Sequence, residues 1–138
     1  MKHFDKSEYF EQDEFLNTLK KYEDARKNGK DVYFDEDVLA NISNYYETHD
    51  NSLAAIDAIE YAIKLFPGDI YPLIFRARMA LLLENNTDKA KDFLKSVVDK
   101  HDIEYYYAIA EVKIVEKNPE GASKYLRRKA EEVEEDVH

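Results

Sequence analysis

Apolar residues recur along this chain every three to four positions, the spacing of one helix face. From Asp13 to Asn28, Phe15, Leu16, Leu19 and Tyr22 share such a face. Asp13 and Glu14 open the segment where a helix dipole favours acids, and Gly29 stands where a left-handed C-cap belongs. Val32-Tyr33-Phe34 is too short and isolated for a sheet, so it reads as an extended connector that tucks aromatics against the next helix. The next helix is expected from Asp35, its N-cap, to Thr48, and another from Ser52 to Phe66, stopped by Pro67-Gly68. A further helix begins near Tyr71, with Pro72 in the first turn where a missing N–H is harmless, and reaches Glu84. The pattern then predicts helices over Asp88 to Lys100 and Ile103 to Lys117, and a last one opened by Asn118-Pro119. That makes an all-α chain of seven helices joined by short turns. Phe4, Tyr9 and Phe10, ahead of the first helix, fit no clear element.

The six later helices fall into pairs with a common register. Small residues in the first helix of each pair are Ser43, Ala77 and Ala110, spaced 34 and 33 apart, with Leu39, Leu73 and Tyr106 four positions earlier. In the second helices Ala55, Ala90 and Ala122 are spaced 35 and 32, with Ile59, Leu94 and Leu126 four positions later. Antiparallel helices approach closely only where both carry small side chains, while bulky neighbours fill the space around the crossing. The same residues also suit the core of a non-repeating bundle.

A period near 34 with this small–large alternation resembles the tetratricopeptide repeat. Leu39, Ile42, Ser43, Tyr46, Ala55, Ile59, Ala62 and Pro67 match its large, small, aromatic and proline positions. The departures are Leu39, Leu73 and Tyr106 in place of the family's first tryptophan, and Arg76, Lys113 and Lys129 at usually apolar positions. Lys100-His101-Asp102 also stands where a proline is usual. The resemblance implies a short right-handed α-solenoid of three antiparallel helix pairs (36–69, 70–102 and 103–136). Residues 1–34 hold an N-terminal segment and a capping helix, all within one structural domain.

Charge narrows the partners. With 20 Lys and Arg against 30 Asp and Glu the net charge is −10, which repels phosphate backbones and anionic lipid, so neither nucleic acid nor membrane is expected. Cysteine is absent, which removes disulfides and thiolate metal sites. The first ten residues lack a signal-like apolar core and no run is long enough to span a bilayer, so a cytoplasmic location is expected.

Candidate chemistry is sparse. The glycines are isolated, and no nucleophile elbow, phosphate loop or H-E-x-x-H pattern occurs. His49-Asp50 and His101-Asp102 sit in different turns, while Asp50-Asn51-Ser52 lacks the glycine and ligand spacing of a calcium loop. The expectation is therefore a non-enzymatic scaffold without cofactor or metal. In the resembled family the first helix of each pair lines a concave groove that takes a peptide or protein segment. Helical phase places Asn41, Asn44, Tyr71, Phe75, Arg78, Tyr107 and Glu111 there. The family's clamp for acidic C-terminal peptides is not matched. Asn44 fits it, but Ala40, Phe75, Glu104 and Ala108 occupy its other places. The 11 tyrosines, with runs at Tyr45-Tyr46 and Tyr105-Tyr106-Tyr107, suggest exposed aromatic surface and an alternative reading, a weakly homodimeric self-association module. In the last helix, basic residues Lys124 to Lys129 precede acids from Glu131 onward, an order that opposes the dipole and favours fraying of the final turn.

Overall fold

Seven α-helices and no strand make up the described residues of the computed structural model, which covers 12–137, with side chains for 12–135. Phe4, Tyr9 and Phe10 lie outside them. The helices are α1 (Asp13–Lys27), α2 (Glu36–Thr48), α3 (Ser52–Leu65), α4 (Ile70–Leu82), α5 (Thr87–Lys95), α6 (Ile103–Val115) and α7 (Pro119–Val137).

Local chemistry explains most boundaries. At the end of α1 the Gly29 and Lys30 N–H groups donate back to the Arg26 and Ala25 carbonyls, with Gly29 at φ +64°. Those paired bonds are the αL closure that the glycine predicts. Asp50 and Lys117 take the same left-handed position after α2 and α6 without being glycine. The side-chain Oδ1 atoms of Asn51, Asn86 and Asn118 and the carboxylate of Asp102 accept from first-turn N–H groups of α3, α5, α7 and α6. Asp35 occupies the N-cap position of α2, but its side chain makes no capping bond.

One predicted boundary is corrected. The helix expected to Lys100 stops at Lys95. The β-branched Val97 and Val98 are poor helix continuers, and the Val98 N–H instead donates to the Gly68 carbonyl at 3.1 Å. The Lys100 ammonium then binds the carbonyls of Lys95 and Val97 at 3.0 and 2.6 Å.

Sequential helices pack as neighbours: α2 on α3, α4 on α5, α6 on α7, with α4 also against α3 and α6, and α5 against α6. The six small residues read from the register are all buried, Ser43, Ala55, Ala77, Ala90, Ala110 and Ala122 alike. At the first crossing the Ser43 hydroxyl donates to the Ala55 carbonyl at 2.9 Å. The α1 helix packs through large side chains: Phe15 meets Tyr45, and Tyr22 meets Phe34 and Tyr61, in one core with Leu39 and Ile42. Phe34 of the connector is buried, whereas Tyr33 is 65% exposed and edges against Phe66.

Arg76, Lys113 and Lys129 are accommodated in separate ways. Arg76 is fully buried, donates to Glu60 on α3 at 2.9 Å and to Glu84, and lies over the Phe93 ring of α5. Lys113 and Lys129 sit over the Tyr125 ring, and Lys129 also faces Tyr106, so α6 and α7 are joined by cation–π contacts. The last helix runs to Val137, and Val133 on it is half-exposed.

Candidate partner-binding groove

Both α2 and α4 rest on α3, and a trough opens between them. Its larger part encloses about 650 Å³ and its smaller part about 240 Å³. The two share Ala40, Ile59 and Phe75, so they form one continuous groove. The centre of the floor is apolar because α3 contributes Ile59 and Ala62 and α2 contributes Ala40, too small to fill the space. The far wall is α4, where Tyr71, Phe75, Arg78 and Leu82 recur at intervals of four, three and four, one helical stripe. Tyr71, Phe75 and Leu82 are 51%, 36% and 77% exposed, an apolar edge left uncovered beside a cavity.

The rim is acidic. Glu36 and Asp37 stand at one end, Glu47 and Asp50 at the other. The cation lining it, Arg78, is held by Glu111 of α6 through two guanidinium nitrogens at 2.9 and 3.2 Å. At the first end burial raises the Glu36 carboxyl to about 7, helped by a hydrogen bond and repulsion from Asp69 and by repulsion from Asp37.

Of the residues assigned to the groove from sequence, Asn44, Phe75 and Arg78 line the larger part, and Tyr71 with Phe75 the smaller. Glu111 joins them through Arg78. Tyr107 is 45% exposed on α6 and lines neither part. Asn41 is half-buried, engaged with neighbouring groups, and also lines neither. Sequence reasoning did not place Ile59, Met79, Leu82, Glu47 or Asp50 here. Leu82 continues the Tyr71–Phe75–Arg78 stripe and was findable; Ile59 carries only the signature of core.

The turn histidines serve their own helices. His49 Nδ1 lies 2.8 Å from the Tyr45 carbonyl and its ring stacks on Tyr45, while His101 Nδ1 lies 3.5 Å from the Tyr106 hydroxyl. Among the described residues no three His, Asp or Glu side chains stand together as metal ligands. None of the helices described is long and apolar enough to cross a membrane. No family model matches the chain, and no curated protein matches it as a relative.

Proposed function

We propose that this chain is a non-enzymatic interaction scaffold that holds a peptide or protein segment in the α2–α4 groove. The observation that carries the reading is an open, apolar-floored trough walled by the exposed stripe Tyr71–Phe75–Leu82. Exposed apolar area beside a concavity is the mark of a surface that another molecule covers. The 34-residue register and the sequential pairing of helices support a short, right-handed, tetratricopeptide-like solenoid as the architecture, with α1 against its first pair.

Selection from a displayed random peptide library tests it. Peptides selected on the wild-type chain are expected to lose at least tenfold in affinity for Ala40→Trp, which fills the floor, and for Leu82→Glu, which charges an exposed wall position. Leu82 is too exposed for its replacement to unfold the chain. Peptides that bind both variants as well as wild type contradict the reading.

A further inference from the structure

We infer that the occupant of this groove is a cationic segment, with apolar side chains in its middle and Lys or Arg at both ends. The inference rests on the groove reading above and adds the chemistry of the partner. Apolar contact runs along the trough, from Ala40, Ile59 and Phe75 at its centre and from Tyr71 and Leu82 on the α4 wall. Each end carries carboxylates, Glu36 and Asp37 at one and Glu47 and Asp50 at the other. Arg78 offers an anion little, because Glu111 already binds it from the α6 side. An acidic segment would therefore lay its ends against carboxylates, whereas a basic one finds a counter-charge at each end, from Asp37 at one and from Glu47 and Asp50 at the other. The chain's net charge of −10 steers encounter in the same sense.

The spacing of the acids sets the length. Asp37 and Glu47 are ten residues apart on α2, about 15 Å along a helix axis. An extended segment spans that distance in about five residues, and a helical one in about ten. The two cationic positions of the partner are separated accordingly.

The displayed library again serves as the probe, with the selected peptides read for composition and their binding measured by fluorescence polarisation. The expected result is enrichment of Lys and Arg flanking an apolar centre. Affinity should fall about fivefold or more on Glu47→Gln/Asp50→Asn and fall steeply between 50 and 300 mM salt as the Debye length shortens. Groove-blocked peptides that are neutral or acidic, or that ignore Glu47→Gln/Asp50→Asn, overturn the cationic claim and leave the groove reading standing. Peptides indifferent to Ala40→Trp and Leu82→Glu overturn both. Concentration-dependent dimerisation that Glu47→Gln/Asp50→Asn abolishes would make the occupant a second copy of this chain, and would also overturn a separate cationic partner.

Discussion

At Ala55 the two helices of the first pair come close enough for the Ser43 hydroxyl on α2 to reach a backbone carbonyl on α3 at 2.9 Å. Ala55 is wholly buried, whereas its neighbour Ala54 is partly open to solvent. Ala55→Leu is therefore expected to destabilise by about 1–3 kcal/mol through overpacking, and Ala54→Leu by clearly less. Thermal melts of the two variants check the order; a more damaging Ala54→Leu would contradict the crossing. Arg76 shows a residue whose type misleads. Arg76→Ala leaves a cavity where a large buried side chain stood and takes the partner from Glu60 and Glu84, and is expected to cost about 2–5 kcal/mol. Urea unfolding measures it, and a loss under 1 kcal/mol would show that the pairing does not hold the α3–α4–α5 junction. Small residues at regular spacing made the crossing legible in sequence. The burial of Arg76 was not, because its partners come from Glu60, sixteen residues before it on another helix, and Glu84, beyond the end of its own.

Between elements, the turn after α3 is fixed by Gly68, at φ +86°, where an added Cβ would lie 2.5 Å from Val98 Cγ2. Gly68→Ala is expected to cost about 1–2 kcal/mol from the left-handed backbone alone. Gly29→Ala bears the same backbone penalty in open space, so calorimetry should rank Gly68→Ala the more damaging; equal losses would remove the role given to Val98. The same contact explains why the helix expected to Lys100 ends at Lys95. Helical periodicity extends through Val97, which is buried, and nothing local announces that the Val98 N–H is claimed by Gly68 thirty residues earlier. The junction of α2 with the start of α4 carries a pH dependence. The Glu36 carboxyl titrates near 4.5 when free and is raised to about 7 here, first by burial and then by Asp69 and Asp37. Its protonated form is the one the fold favours. Its contribution is thus complete below about pH 4.5 and lost as pH rises through 7. Wild type should lose stability relative to Glu36→Gln between pH 5 and pH 8, as read by urea unfolding at both values. A difference independent of pH would contradict the raised carboxyl.

Across the whole molecule, the groove arises because α2 and α4 share a support rather than packing on each other, and because α2 presents Ala40 where a larger residue would close the gap. The α4 side of it was legible, since Tyr71, Phe75 and Arg78 share a helical phase. The α3 floor was not, because Ile59 serves the α2–α3 crossing and the groove with one side chain, and its sequence signal is that of core alone. Asn41 and Tyr107 share that phase, yet the cavity is bounded before it reaches them. The central claim, that partners lie between α2 and α4, is tested most directly by hydrogen–deuterium exchange of the chain with and without a peptide selected from the displayed library. The account predicts slower exchange over 40–50 and 71–83, with α7 unchanged. Protection confined to α6 and α7, with α2 and α4 exchanging as in the free chain, would contradict it.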